Sequence, residues 1–264
     1  MPEGDMTASE QGFGSKFIAA LESGLAEATF APLAGLVDSG VKERLARFSF
    51  LLLEANREAN LTRIIDPGEM AVKHVLDSMT ALLAGEWPHG ATVCDVGTGG
   101  GLPGIVLAVV RPDLSVTLVD SVAKKVAAVE SIARALGIGA QAIHARAEEL
   151  GREAAHRERY QIVVARAVAP LPVLAELCLP LVAVGGSFVA MKGRDAGLEE
   201  GFYAVERLGG KVRQSISLSL PGGYGERTLL SIAKVKPCPP EFPRRPGMPE
   251  KRPLVAPSGR KAPS

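Results

Sequence analysis

Apolar and polar residues follow a helical spacing in the first third of the chain. From Phe17 to about Ala84 the apolar residues recur as they do on the buried face of a helix. One such stripe is formed by Val41, Leu45, Phe48, Leu52 and Ala55. We expect its helix to end near Asn60 and the next helix to begin at Asp66, which is placed to cap it ahead of Pro67. A group of helices is therefore predicted for this part of the chain.

From Ala91 the rhythm changes to short apolar strands separated by helices. The expected strands are Thr92–Val96, Val116–Val119, Gln141–His144, Gln161–Ala165 and Ser187–Met191. The clearest of the intervening helices is Val122–Leu136, and this alternation predicts a parallel sheet with helices on both faces. Two more strands, Lys211–Leu220 and Arg227–Val235, are joined by a turn-rich loop and predict an antiparallel pair at the end of the sheet.

Composition and charge indicate a globular protein and exclude few functions. Of the 264 residues, 47% are hydrophobic and 22% charged, and a net charge of +1 requires neither a nucleic-acid nor a membrane partner. The most apolar stretch, Leu171–Met191, is interrupted by Glu176, Pro180 and Gly185, so we expect a helix and a buried strand rather than a membrane span.

The N-terminal residues and the cysteines favour a cytoplasmic protein. The first fifteen residues carry no apolar run, so no signal peptide is expected. Three cysteines, odd in number and far apart, do not predict a disulfide scaffold or a zinc site, and they suit a reducing compartment.

The sharpest motif is a glycine-rich turn directly after the first expected strand. Four glycines occur within five residues from Gly97 to Gly101, and such a turn at a strand end can lie against a nucleotide-like ligand. The spacing of Gly99, Gly101 and Gly104 also matches the dinucleotide pattern, which alone is weak. Asp95, two residues before Gly97, would repel a pyrophosphate but suits the ammonium and sulfonium of S-adenosylmethionine.

The motif Asp95-x-Gly97-x-Gly99 resembles the first motif of class I S-adenosylmethionine-dependent methyltransferases. Asp120, at the end of the second strand, suits that cofactor or NAD, because a carboxylate there can accept from both ribose hydroxyls. A purely structural glycine turn is disfavoured by the presence of both carboxylates.

A wider set of motifs resembles the RsmG (GidB) family, bacterial 16S rRNA guanine-N7 methyltransferases. The matching pieces are Asn60-Leu61-Thr62, His74, Asp77-Ser78, Asp95-Val96-Gly97-Thr98-Gly99, Leu102-Pro103-Gly104, Ala147-Glu148-Glu149, Arg166-Ala167, Lys192-Gly193 and Pro243-Arg244-Arg245-Pro246-Gly247. The resemblance implies a class I S-adenosylmethionine-dependent methyltransferase (Rossmann-like) α/β fold. It also implies cofactor contacts at Gly97, Leu102, Asp120, Ser121, Val122, Ala147, Glu148 and Arg166.

The chemistry expected at the target atom agrees with this family. None of the cysteines lies where a nucleophile for cytosine C5 would be expected, and Arg166-Ala167-Val168-Ala169-Pro170 lacks the Asn/Asp-Pro-Pro-aromatic string of exocyclic-amine methyltransferases. Guanine N7 carries a free lone pair, so placement suffices and we expect no general base. We also expect no metal, because the histidines and cysteines form no ligand cluster.

Two basic residues at strand ends and one histidine have both a functional and a structural interpretation. Arg166 is expected to line the cofactor and guanosine pocket and Lys192 to meet an RNA phosphate, against the alternative of two solvated charges. His74 is expected to be a hydrogen-bonded helix histidine rather than a catalyst.

The expected organisation has four segments. Residues 1–15 are a disordered N-terminus, 16–88 an N-terminal helical cap, 89–236 the methyltransferase core and 237–264 a Pro-rich basic tail. From Lys234 onward the chain holds nine of its nineteen prolines and a formal charge of +6. Disorder is expected for the last ten residues. Arg244 and Arg245 are predicted to bind RNA, while Phe242 and Leu254 could dock on the body.

The resulting hypothesis is a cytoplasmic, monomeric enzyme that uses S-adenosylmethionine to methylate 16S rRNA or the small ribosomal subunit, without a membrane partner. Three alternatives stay open: a methyltransferase of another substrate, an NAD-dependent oxidoreductase, and a cofactor-binding RNA partner without catalysis.

Overall fold

The N-terminal part of the computed structural model, which describes residues 8–166, 169–193 and 198–256, is helical. Helix α1 (Ala8–Leu25) is followed by a 3-10 turn (Ala28–Phe30), a short α2 (Ala31–Ala34) and the long α3 (Ser39–Ala59). Asp38 caps α3 by accepting from the Val41 backbone N–H at 2.8 Å. The helix predicted to end near Asn60 is confirmed.

Helix α1 begins at Ala8 and corrects the expectation of disorder for residues 8–15, while residues 1–7 of that predicted segment lie outside the described residues. Phe13 packs against Phe17 and edge-on against Phe50, and Arg47 forms an ion pair with Glu10. These contacts bury side chains of α1 and so offset the entropy lost on ordering it. The polar character of the first residues does not indicate this burial.

The second part of the helical region is one continuous helical run with a wide turn in its middle. Asp66 caps α4 (Pro67–Met70), as predicted, by accepting from the Glu69 N–H. A π-helical turn (Ala71–Leu76), α5 (Asp77–Met79) and a 3-10 turn (Thr80–Leu83) continue it. Such π turns often occur at functional sites, and this one carries His74, three residues before Asp77.

The rest of the chain forms a seven-stranded sheet. Its strands are β1 (Thr92–Val96), β2 (Ser115–Asp120), β3 (Gln141–His144), β4 (Tyr160–Arg166), β5 (Val182–Lys192), β6 (Gly210–Ser219) and β7 (Glu226–Lys234). The spatial order is β3-β2-β1-β4-β5-β7-β6, with β7 antiparallel to both of its neighbours and the other pairs parallel. This arrangement confirms the predicted class I methyltransferase fold with an antiparallel last pair.

Helices cover both faces of the sheet. They are α6 (Gly104–Val110), α7 (Ala123–Ala135), α8 (Ala147–Leu150), α9 (Leu171–Cys178) and α10 (Phe202–Arg207). Successive residues of a strand enter different cores. In β4, Ile162 and Val164 join the core shared with the N-terminal helices, whereas Val163 and Ala165 join the core under α9. Cys94 is a buried member of the second core, and all three cysteines are free.

The segment after β7 packs on the body as a strap; we call residues 237–256 the C-terminal strap. Cys238 and Phe242 are buried in the core under α9, and Leu254 packs against that core, so the predicted docking of Phe242 and Leu254 is observed. The strap contains the short α11 (Met248–Lys251), which packs on α9. Of the ten C-terminal residues expected to be disordered, 257–264 lie outside the described residues.

A search of the described helices found no single one that is both long and apolar enough to cross a bilayer. The pair Ser9–Leu25 and Ala28–Ala34 passes on combined length and composition but is bent by 93°.

Candidate functional site

The carboxyl ends of the parallel strands bring the predicted site residues to one edge of the sheet. Asp120, Arg166 and Lys192 are the last residues of β2, β4 and β5, and the glycine turn leaves β1 at the same edge. Strand β7 runs the other way, so its beginning reaches this edge as well. Lys192 is in register with Thr228, and Arg227 is therefore its close neighbour.

Asp95 holds the glycine turn against the start of α6. Its Oδ2 accepts from the Thr98 hydroxyl at 2.7 Å and from the Gly104 N–H at 2.8 Å. Gly104 has no room for a side chain, because an added Cβ would lie 2.2 Å from Leu118 Cδ2 and 2.8 Å from Asp95 Oδ2. Close packing between α6 and β2 thus explains why the last position of the dinucleotide-like pattern, Gly104, is a glycine.

The other oxygen of Asp95 is buried without a partner. Asp95 is fully buried, and its Oδ1 has no hydrogen-bond partner among the described residues. Burial raises the pKa of Asp95 to about 6, although the donors from Thr98 and Gly104 oppose the shift. A buried carboxylate oxygen without a donor is costly, so it suits a ligand that brings a cation or an N–H group.

Gly99 is open toward the cleft. Its φ of +57° belongs to the left-handed region, and an added Cβ would meet no atom closer than the Gly97 carbonyl oxygen at 3.9 Å. Its N–H donates to Asp120 Oδ2 at 3.0 Å. The backbone of the turn therefore forms an uncovered cradle directly beside the second carboxylate.

Asp120 is positioned as an acceptor with spare capacity. Its Oδ1 accepts from the Val122 N–H at 2.9 Å while Oδ2 accepts from Gly99, and the residue is only 8% exposed. Each carboxylate oxygen has two lone pairs, so both oxygens can still accept from a pair of hydroxyl groups.

Two adjoining cavities lie along this edge. One of about 320 Å³ is lined by Asp120, Ser121, Val122, Ala147, Glu148 and Glu250, among others. The other, of about 440 Å³, is lined by Leu61, Leu102, His74, Asp77, Lys192 and Arg227, among others. Gly97, Gly99 and Arg166 line both, so one elongated ligand could pass from the first cavity to the second across the glycine turn.

The 440 Å³ cavity has a cationic wall organised by Asp77. Asp77 Oδ2 accepts from Arg166 at 3.1 Å and its Oδ1 from Arg227 Nε at 2.8 Å. Arg166 also donates to the Lys73 carbonyl at 3.1 Å. Asp77 is 4% exposed, so one buried carboxylate fixes two guanidinium groups in place.

Arg227 and Lys73 are cavity residues that the sequence pattern did not single out. A signal existed for Arg227, since it begins the last strand and an antiparallel strand starts where its parallel neighbours end. Lys73 precedes His74 in the π-helical turn and gave no such signal.

His74 has the structural role that was expected. Its Nε2 lies 2.7 Å from the Thr62 hydroxyl, and Asn56 Oδ1 accepts from the Leu61 and Thr62 N–H groups. Burial, and after it the charge of Arg166, lowers the pKa of His74 to about 4. His74 is therefore neutral near pH 7 and anchors the loop that supplies Leu61 to the cavity.

Lys192 lies half-buried on the rim of the 440 Å³ cavity. Its ammonium donates to the Ala169 carbonyl, and burial lowers its pKa. An ammonium has three donors, so two stay available to an anion.

The remaining predicted residues lie at the far end of the 320 Å³ cavity and on the strap. Glu148 is buried, and its Oε1 accepts from the Gly247 N–H at 2.8 Å. Arg245 is exposed. Arg244, which was predicted to bind RNA, instead has its side chain bound to the fully buried Glu176 at 2.6–3.1 Å. No group of three or more His, Cys, Asp or Glu residues suited to a metal was found in the described parts of the chain.

The two sequence comparisons agree on one family. A model of the GidB family, described as rRNA small subunit methyltransferase G, matches residues 41–206. A protein of Symbiobacterium thermophilum named Ribosomal RNA small subunit methyltransferase G is 44% identical over 239 residues, which cover 88% of this chain and 97% of the relative. A protein of the same name from Pelotomaculum thermopropionicum is 48% identical, covering 77% and 87%. Among solved structures, a SAM dependent methyltransferase from Aquifex aeolicus has a TM-score of 0.47 at 17% identity, covering 69% and 97%.

Proposed function

The chain belongs to the GidB family of rRNA small subunit methyltransferase G proteins, and from this premise we propose that it transfers a methyl group from S-adenosylmethionine to N7 of a guanosine in 16S rRNA of the small ribosomal subunit. The observation that carries the proposal is the edge of the sheet, where the open Gly99 and the spare acceptors of Asp120 line one cavity and the unpartnered Asp95 Oδ1 is buried beside the glycine turn.

The residues of the 320 Å³ cavity fit the adenosine end of this cofactor. Asp120 would accept from the ribose hydroxyls, with Ser121 and Val122 beside it. Val122 is 45% exposed and offers an apolar surface to the sugar or base. Ala147 and Glu148 follow β3 and would meet the adenine. When bound, the cofactor supplies an electrophilic methyl group attached to sulfur.

The glycine turn and Asp95 fit the amino-acid end. A ligand ammonium near Asp95 could donate a hydrogen bond to Oδ1, which has no other donor. Gly97 and Gly99 present their backbone to the cavity, and Leu102 presents an apolar side chain. Arg166, which lines both cavities, would face the cofactor and the target nucleoside together.

The cationic wall of the 440 Å³ cavity fits an RNA substrate. Lys73, Arg166, Lys192 and Arg227 line it, and basic side chains are what binds a phosphate backbone. Guanine N7 needs no proton removed, so the site has only to hold the base in line at near-attack distance. His74 is engaged by the Thr62 hydroxyl through its Nε2, and the proposed reaction requires no proton transfer from it.

Calorimetry with two ligands tests the cofactor. We expect S-adenosylhomocysteine to bind and NAD not to bind, because the pyrophosphate of NAD would lie near the buried Asp95 carboxylate. Binding of NAD alone would favour the oxidoreductase alternative.

A transfer assay tests the substrate. Tritiated methyl groups should pass from S-adenosylmethionine to small ribosomal subunits or their 16S rRNA and not to the large-subunit RNA. Transfer to a protein or small molecule only, or no transfer by a protein that binds the cofactor, would support the remaining alternatives. We further propose that the protein works as a monomer in the cytoplasm, which sedimentation and cell fractionation can check.

A further inference from the structure

The C-terminal strap reaches the adenosine end of the cleft. Glu250, exposed on α11, lines the 320 Å³ cavity together with Asp120 and Glu148, although it lies 130 and 102 residues away from them in the sequence. None of the strand-end motifs accounts for this residue, because it comes from a segment that follows the whole sheet.

Buried contacts fix the position of the strap. The Arg244 backbone N–H and Nε both donate to Glu176 Oε1 at 2.8 Å, and its Nη2 donates to Oε2 at 2.6 Å. Nη2 also donates to the Arg252 carbonyl at 2.7 Å, which closes the loop that carries α11. Upstream, Arg157 donates to the carbonyls of Cys238, Pro239 and Phe242 at 2.7–3.2 Å. Glu250 is therefore presented by an anchored loop.

The strap also touches Glu148 directly. The Gly247 N–H donates to Glu148 Oε1 at 2.8 Å, and the Arg146 guanidinium lies 3.4 Å from the same oxygen. With Oε1 engaged by the strap and Arg146, the orientation of the carboxylate is set, and Oε2 keeps its capacity to accept. Gly247 is thus a positioning residue for Glu148.

We propose that the C-terminal strap is a wall of the cofactor cleft, in which Gly247 orients Glu148 and the Glu250 carboxylate accepts a hydrogen bond from the adenosine of the cofactor. The chemistry fits, because an adenine amino group and ribose hydroxyls are donors and a carboxylate is an acceptor. This inference rests on the proposed function for the identity of the cofactor. It goes beyond that function by giving part of cofactor recognition to residues outside the methyltransferase sheet.

Glu250→Gln with a matched control tests the proposal by calorimetry with S-adenosylhomocysteine. Glu241→Gln is the control, because Glu241 is an exposed glutamate of the same strap that pairs with Arg207. We expect Glu250→Gln to weaken binding on the order of tenfold, the low end for a hydrogen bond to a charged group, and Glu241→Gln to bind like wild type. Equal affinities of the two variants would overturn the proposal.

Hydrogen exchange gives a second readout that needs no variant. Saturating S-adenosylhomocysteine should slow amide exchange in residues 244–252, because the ligand would hold Glu148 and Glu250 in place. Unchanged exchange there, with slowed exchange in the glycine turn, would overturn the inference and leave the proposed function intact. A wild-type protein that binds no S-adenosylhomocysteine would instead contradict the proposed function itself.

Discussion

Asp95 should set the lower pH limit of cofactor binding. The unbound protein holds its pKa at about 6 by burial, and a cationic ligand needs the ionised form. Below pH 6 the affinity for S-adenosylhomocysteine should therefore fall by up to about tenfold per pH unit. His74, with its pKa near 4, should not contribute in this range. Calorimetry from pH 5 to 8 measures this slope. The Asp95→Asn variant should bind the ligand weakly, with an affinity that does not change with pH. If its affinity still falls at low pH, another group is responsible for the titration.

The same shift has a consequence for the stability of the unbound protein. A carboxyl whose folded pKa is raised from 3.8 to about 6 favours folding below pH 4, and that contribution is lost as the pH rises to 6. Two units correspond to roughly 3 kcal/mol, which Asp95 costs the unbound fold at neutral pH. Part of the binding energy of a cationic ligand would relieve this cost.

Gly99 in the turn and Gly104 at the start of α6 should respond differently to alanine. Gly99→Ala adds a methyl group in open space at a φ of +57°, so we expect a loss of about 1 kcal/mol of stability and a large loss of cofactor affinity. Gly104→Ala places a methyl group 2.2 Å from Leu118, so it should destabilise the fold itself. Urea unfolding and calorimetry of both variants check this. A Gly99→Ala protein with wild-type affinity would remove that residue from the cofactor site.

At the scale of elements, Asp77 joins the N-terminal helical run to β4 and β7. Asp77→Ala would leave the guanidiniums of Arg166 and Arg227 facing each other without a carboxylate. We expect it to lower the free energy of unfolding by roughly 3 kcal/mol, the lower end for one partner of a buried pair, because the two arginine side chains are 16% and 20% exposed.

Glu130→Ala is the matched control for this measurement. It breaks an exposed pair with Arg134, where both side chains are more than half exposed, and should cost less than about 0.5 kcal/mol in the same urea titration. Equal effects of the two variants would show that Asp77 does not join these elements.

Prediction from sequence succeeded where an element's own residues carry the signal. The five parallel strands, the antiparallel pair and the cap at Asp66 follow from local periodicity and turn chemistry. The docking of Phe242 and Leu254 followed from their apolar side chains. The polar anchors of the strap did not follow, because its Pro-rich basic composition is that of a solvated tail and its partners are remote. Glu176, 68 residues before Arg244, lies in an apolar helix that gave no hint of an ion pair. The clustering around Asp77 was hidden for the same reason, since Arg227 lies 150 residues away.

At the scale of the whole molecule, charge should guide the RNA. The part before Lys234 carries a formal charge of about −5 and the rest +6. Attraction of RNA phosphates therefore depends on the basic side chains near the cleft and on the strap, and not on the total charge. Because Arg244 is bound to Glu176 and Arg245 is exposed, we propose Arg245 as the phosphate contact of that pair. Arg245→Ala should lower rRNA affinity and flatten the slope of log affinity against log salt by about 0.7–0.9, with cofactor affinity unchanged.

Filter binding over a series of salt concentrations measures that slope. Arg134→Ala is the control, since Arg134 is an exposed arginine near the end of α7, which runs from the cofactor edge of the sheet to the opposite edge. If the Arg245→Ala variant has the same slope as wild type, the exposed part of the strap serves solubility and not RNA binding.

The most direct measurement locates the methyl group on the RNA. Small ribosomal subunits from cells that lack the modification are incubated with the protein and S-adenosylmethionine, and the 16S rRNA is then reduced with borohydride and treated with aniline, which cleaves the chain at N7-methylguanosine. The account predicts new cleavage at a single guanosine, absent when the protein is omitted. Methyl transfer without aniline-dependent cleavage, or no transfer by a protein that binds S-adenosylhomocysteine, would contradict it.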